Sequence, residues 1–162
     1  MKNKYLFLAL VALPLIILDQ ATKLLIVRTL DFHAVIPVVP NFFDIVHARN
    51  QGAAFGMLRD SGMRLPFLVG VSLLAVVVVI AVFRNLRPEQ KLSAWGLSLV
   101  LSGAVGNLID RVRLGEVIDF LYVHWYQHYW PAFNVADSAI CIGVGLLALD
   151  MILEEKRKKK QF

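Results

Sequence analysis

Four apolar runs dominate the chain, from Tyr5 to Val27, Leu65 to Phe83, Leu92 to Ile109 and Ala136 to Leu153. Each is close to the ~20 residues that an α-helix needs to cross a bilayer's hydrocarbon core. The pattern predicts an all-α membrane protein of four transmembrane helices in a single domain. On the third run Ser98, Ser102 and Gly106 recur every fourth residue, a small-residue stripe that lets a neighbouring helix approach closely.

The segments between the runs have patterns of their own. From Ala34 to Ala48 the chain reads AVIPVVPNFFDIVHA, β-branched and aromatic residues broken by Pro37, Pro40 and Asn41, which predicts short strands and a turn. From Asp119 to Trp130 the rings of Phe120, Tyr122, Trp125, Tyr126, Tyr129 and Trp130 suit a loop at headgroup level. Basic residues precede the first run, separate the second from the third (Arg84, Arg87, Lys91) and follow the fourth. The positive-inside rule makes those segments and both termini cytoplasmic, with 154–162 as a basic tail. Segments 28–64 and 110–135 then face outward, in a bacterium toward the periplasm. Lys2 and Lys4 ahead of an apolar run imitate a secretory signal. Asp19, Gln20 and Lys23 stand where a small-residue cleavage site belongs, so a retained span is expected.

Composition supports this reading. At 58% hydrophobic residues and a mean hydropathy of +0.65, a chain of 162 residues is too apolar for a soluble domain. The net charge of +5 is concentrated at the termini, and Lys156 to Lys160 suit anionic lipid headgroups. Nucleic acid is not an expected partner. Cys141, the single cysteine, excludes an intrachain disulfide and leaves the redox compartment unread. No internal repeat is evident.

Ionisable groups at membrane depth are costly, about 2.5–3.5 kcal/mol each at a helix centre on insertion scales. Here they gather at one end. Asp19 and Lys23 lie four apart near the outer end of the first span; Asn107, Asp110 and Arg111 close the third; Asn134 and Asp137 enter the fourth. With Asp119 from the preceding segment, all of these can converge at one depth. Blander readings stand beside this one. Asp19 and Lys23 suit an ion pair with the lysine snorkelling, Asn134 and Asp137 suit helix capping, and Asp110 with Arg111 suits an exposed boundary pair.

Two aspartates brought within a few ångströms share a proton, because both cannot ionise. One then takes a proton from water while the other polarises a carbonyl. His124 and His128 have the i, i+4 spacing of helical metal ligands, but no H-E-x-x-H surrounds them, so neither a metal nor another cofactor is expected. Ser138 with Lys23 offers a weaker serine–lysine alternative. Transporters place polar groups at mid-depth and show repeated halves, and this chain does neither. A non-catalytic assembly factor would tolerate single carboxamide substitutions.

Five segments together resemble the lipoprotein signal peptidases (signal peptidase II). They are Asp19-Gln20 with Lys23, Asn50 to Phe55 (NQGAAF), Gly106 to Arg111 (GNLIDR), Val117 to Phe120 (VIDF) and Phe133 to Ser138 (FNVADS). No polar position departs from the pattern, although Gly56 stands where many members carry serine. The resemblance implies an aspartyl endopeptidase of the bacterial inner membrane that cleaves diacylglyceryl-modified prolipoproteins just before the lipid-modified cysteine, by water that the dyad activates; a monomer is expected. It implies that Asp119 and Asp137 form the catalytic dyad and that Asp110 does not belong to it. It further implies that Asn50, Gly52, Asn107, Arg111 and Asn134 hold substrate and dyad, with Asp19 and Lys23 supporting fold or site. The family fold adds a periplasmic β-cradle and a short surface helix, expected near Phe55 to Met63.

Overall fold

The computed structural model describes residues 3–52 and 62–159. It holds four long helices, α1 (Lys4–Thr29), α2 (Arg64–Arg84), α3 (Lys91–Leu114) and α4 (Val135–Lys159). All are long and apolar enough to cross a membrane. The surface helix expected over 55–63 lies, apart from its end, outside the described residues.

The helix ends follow local chemistry. Asn3 precedes α1 and its side-chain oxygen accepts the Leu6 N–H at 3.0 Å, satisfying one of the free donors of a first turn. α3 runs past the expected boundary at Ile109 and stops at Gly115, whose φ of 76° is the left-handed conformation that ends helices. The Gly115 N–H bonds the Arg111 carbonyl at 3.1 Å. Asp110 and Arg111 therefore belong to the last helical turn rather than to the outer segment.

α3 is the central helix and packs against the other three. The small-residue stripe does what its spacing predicts: Ser98 and Ser102 are buried, and a Cβ built at Gly106 would stand 2.7 Å from an Asp19 carboxylate oxygen and 3.2 Å from the Ala136 Cβ. α2 is almost wholly apolar and lies on the outside, touching α3 through Val79 and Phe83 against Ala94, Leu97 and Leu101. At the far end of the bundle Lys4 donates to the carbonyls of Arg84 (2.6 Å) and Leu86 (3.4 Å), closing α1 onto the end of α2.

At the opposite end an antiparallel sheet of four strands, in the order β1 (Val35–Val39), β2 (Phe43–Asn50), β3 (Val117–Trp125), β4 (His128–Tyr129), caps the bundle. β1 and β2 fulfil the strand expectation. The expected interfacial loop is instead a strand to Trp125 followed by a turn: the run VIDFLYVHW is rich in β-branched and aromatic residues, and its rings drew attention away from that propensity. Trp125, Tyr126, Tyr129 and Trp130 at its tip are exposed. The β2–β3 register shifts between Ile45 and Ala48, a bulge that bends β2 just before Ala48 pairs with Asp119. Ile118 and Phe120 pack with Ile26 of α1 beneath the sheet.

Candidate active site

The polar side chains converge where the sheet meets α1, α3 and α4. The lowest layer is centred on Lys23. Its ammonium lies 2.8 Å from Asp19 Oδ2, 2.9 Å from Asp110 Oδ2 and 3.0 Å from Asn107 Oδ1, which uses all three of its donors. Lys23 is 3% exposed and Asp110 2%, so the lysine does not snorkel and Asp110 is not an exposed boundary residue. Removing charges from water is expensive unless they are paired and hydrogen-bonded, and this group is both. Gln20 ties it to α3, donating to Asp19 Oδ2 (3.1 Å), Asp110 Oδ1 (2.9 Å) and the Gly106 carbonyl (3.2 Å). The other Asp19 oxygen accepts the Ala136 N–H at 2.9 Å, placing negative charge on the positive end of α4. Asp110 Oδ2 also accepts the Ile118 N–H at 3.3 Å, fixing the backbone next to Asp119.

Asn107 passes this order upward. Because its Oδ1 faces Lys23, its Nδ2 points the other way and donates to Asp137 Oδ1 at 2.7 Å. Asn134 sits between the two remaining carboxylates. Its Nδ2 donates to Asp119 Oδ1 at 2.8 Å and to the Ile118 carbonyl at 3.2 Å. Its Oδ1 accepts the Asp137 N–H at 2.9 Å, and its own N–H reaches Asp137 Oδ2 at 3.3 Å. This reciprocal bonding is a capping box. The cap itself holds Asp137 in place within the cluster.

Asn50 completes the wall from the end of β2. Its Oδ1 accepts the Gly52 N–H at 2.8 Å and its side chain hydrogen-bonds Asp119. Gly52 has φ of 80°, and a Cβ there would lie 2.5 Å from Leu68 Cδ1, so both backbone and space call for glycine.

Burial, and then the negative charge of Asp137, push the Asp119 carboxyl up to about 7; hydrogen bonds from Asn50 and Asn134 and the charge of Lys23 act against that rise. A carboxyl that titrates near neutrality can serve as an acid or a base at working pH.

All the residues singled out in the sequence are thus brought to one place except Arg111, which lies beside them and bonds Ser72 Oγ at 3.1 Å. Gln20 belongs to the first of the family segments, though no role was expected of it. The partner that sequence reasoning missed is Ser72, which did give a signal, being the single hydroxyl in the run from Leu65 to Phe83. His124 and His128 stand on β3 and β4, so the helical spacing has no bearing on them, and His124 Nε2 lies 3.1 Å from Asp44 Oδ2. The Ser138 hydroxyl donates to the Asn134 carbonyl at 2.9 Å, and Lys23 is fully engaged elsewhere.

The family model described as signal peptidase (SPase) II matches residues 11–153. The lipoprotein signal peptidase of Geobacter metallireducens is 56% identical over 160 residues, covering 99% of each chain. That of Geobacter sulfurreducens is 58% identical over 158 residues, covering 98% of this chain and 99% of its own. Two solved structures, each described as a bacterial membrane enzyme, superpose with TM-scores of 0.83 and 0.82 at 32% and 34% identity, covering 94% and 90% of this chain and 91% and 92% of theirs. The chain belongs to the signal peptidase II family and is a multi-pass membrane peptidase.

Proposed function

We propose that this chain is an intramembrane aspartyl endopeptidase that removes signal peptides from diacylglyceryl-modified prolipoproteins, cutting just before the lipid-modified cysteine. The observation that carries the reading is the bracketing of Asn134 by Asp119 and Asp137, which holds two carboxylates side by side with, among the described residues, only neutral amides touching them. Asp119, whose carboxyl is raised to about 7, supplies the proton of the pair. Asp137 takes a proton from a water molecule as its oxygen attacks the scissile carbonyl, and Asp119 protonates the carbonyl oxygen. The tetrahedral species collapses as the carbon–nitrogen bond breaks: the proton on Asp137 passes to the leaving amine, and a hydroxyl proton of the diol returns to Asp119. The products are the signal peptide's new carboxylate and the free amine of the lipidated cysteine.

The location of the pair suits this substrate. A signal peptide is itself a membrane helix, and its scissile bond emerges near the outer headgroups. The site lies at the end of the bundle where α1 and α3 finish and α2 and α4 begin. The basic residues at the other end favour placing both termini in the cytoplasm and the site near the periplasmic face of the inner membrane. One copy of the chain supplies both aspartates.

Purified protein incubated with diacylglyceryl-modified prolipoprotein is expected to release the signal peptide. Asp119→Asn and Asp137→Asn are each expected to abolish release while keeping the wild-type helical content. Full activity in either variant overturns the dyad.

A further inference from the structure

Arg111 is the one cation of the site that has no counter-ion in contact. It lies within the electrostatic field of Asp137, Asp110 and Asp119, yet among the described residues it forms an ion pair with none of them. Each of those carboxylates is already occupied by other donors: Asp110 by Lys23, Gln20 and the Ile118 N–H, Asp119 by Asn134 and Asn50, and Asp137 by Asn107 and Asn134. The guanidinium gives one bond to Ser72 Oγ at 3.1 Å, and its Nε–H is buried without a partner. An arginine near a helix end ordinarily runs its head out to water. This one is tethered inward, because Ser72 lies eight positions into α2, which begins at Arg64, or about 12 Å along that helix at 1.5 Å per residue.

Ser72 is built to hold that pose. It is buried in an otherwise apolar stretch of helix, and its hydroxyl proton goes to the Leu68 carbonyl at 2.9 Å. Its lone pairs are thereby turned toward Arg111. A buried N–H donor without a partner, such as Arg111 Nε, needs an acceptor, and the proposed substrate supplies one. The last four carbonyls of any helix lack intrahelical partners, so a signal helix ending at the scissile bond brings unpaired carbonyls to this depth, with the negative end of its dipole.

We propose that Ser72 is a positioning residue that holds Arg111 pointing into the membrane, where the spare guanidinium donors bind carbonyls in the last turn of the substrate's signal helix. The inference rests on the signal-peptidase reading and adds, to the substrate-holding role that the resemblance implies for Arg111, the residue that aims it.

The test is steady-state cleavage of diacylglyceryl-modified prolipoprotein by wild type, Ser72→Ala, Ser72→Thr, Arg111→Lys and the Ser72→Ala/Arg111→Lys double variant, with thermal unfolding of each in detergent. Loss of one hydrogen bond to a charged group is expected to raise KM about tenfold in Ser72→Ala, equivalent to about 1.4 kcal/mol, with kcat within about twofold. Ser72→Thr keeps the hydroxyl and is expected to restore KM. The alanine change is expected to add nothing in the Arg111→Lys background, where the fork that Ser72 holds is gone. An unchanged KM in Ser72→Ala, or effects that add independently of Arg111, overturns the proposal, as does a lower melting temperature alone. Failure of wild type to cleave this substrate would instead overturn the functional reading itself.

Discussion

Two pairs of aspartates lie on either side of Asn107, and they are treated oppositely. Asp19 and Asp110 share the ammonium of Lys23 at 2.8 and 2.9 Å. Among the described residues, Asp119 and Asp137 receive only amide and backbone donors. Charge compensation makes the first pair a brace joining α1, α3 and α4. In the second pair burial, and then the charge of Asp137, leaves Asp119 titrating near neutrality, where a proton can be given and taken. Burial is alike for Asp19, Asp110 and Asp119, at 1%, 2% and 2% exposed. Depth alone therefore does not distinguish Asp119 from the Lys23-bound pair; the nature of the donors does.

The strongest way to break the comparison is to remove a carboxylate from the uncompensated pair. Asp119→Asn or Asp137→Asn should lower kcat by at least ~10³-fold, the scale of a lost general acid or base, measured by signal-peptide release from folded protein. Removing the cation from the compensated pair should act on the fold instead. Lys23→Met leaves Asp19 and Asp110 facing each other without a counter-charge and should destabilise by about 3–5 kcal/mol, as one-sided loss of a buried ion pair does. A lowered melting temperature and reduced yield would report it.

The pH dependence sharpens the contrast. The Asp119 carboxyl is raised from 3.8 to about 7 on folding, so the folded state binds more protons than the unfolded one between those values. Its contribution to stability is present at low pH and is lost as pH rises through about 7. The kcat/KM profile should accordingly fall above about pH 7. Asp119→Asn should abolish the corresponding fall in melting temperature between pH 6 and 8, which differential scanning at the two pH values would show. The smallest effect belongs to the wall: Gly52→Ala forces a side chain into positive φ and against Leu68, costing about 1–2 kcal/mol and displacing Asn50 from Asp119. A modest loss of activity and a melting shift of a few degrees should follow.

Much of this contrast was legible in the sequence, and the limits are physical. Hydropathy and helical spacing reveal the four spans and the gathering of polar residues at one end, because the bilayer makes each buried charge conspicuous. Spacing cannot say which carboxylate meets Lys23. Asp19 is four residues away on the same helix, but Asp110 reaches it only through the parallel packing of α1 against α3, and so was open to an exposed reading. The division between Asp110 and Asp119 came from family motifs and now has a local reason. Asp110 stands in the last turn of α3 facing α1, while Asp119 follows on β3 under Asn134. The strand character of 117–125 was obscured by aromatic rings that also suit an interface. Ser72 was visible as a lone hydroxyl, but only the structure connects it with Arg111.

The central claim is that neutral donors mark the reacting pair and a shared cation marks the brace. It is tested most directly by comparing Asp119→Asn with Asp19→Asn for release of signal peptide from diacylglyceryl-modified prolipoprotein, normalised to folded enzyme. The expected result is no release above background from Asp119→Asn at undiminished melting temperature, and release within about tenfold of wild type from the folded fraction of a less stable Asp19→Asn. Wild-type release by folded Asp119→Asn, or complete loss in an Asp19→Asn variant that melts like wild type, would contradict it.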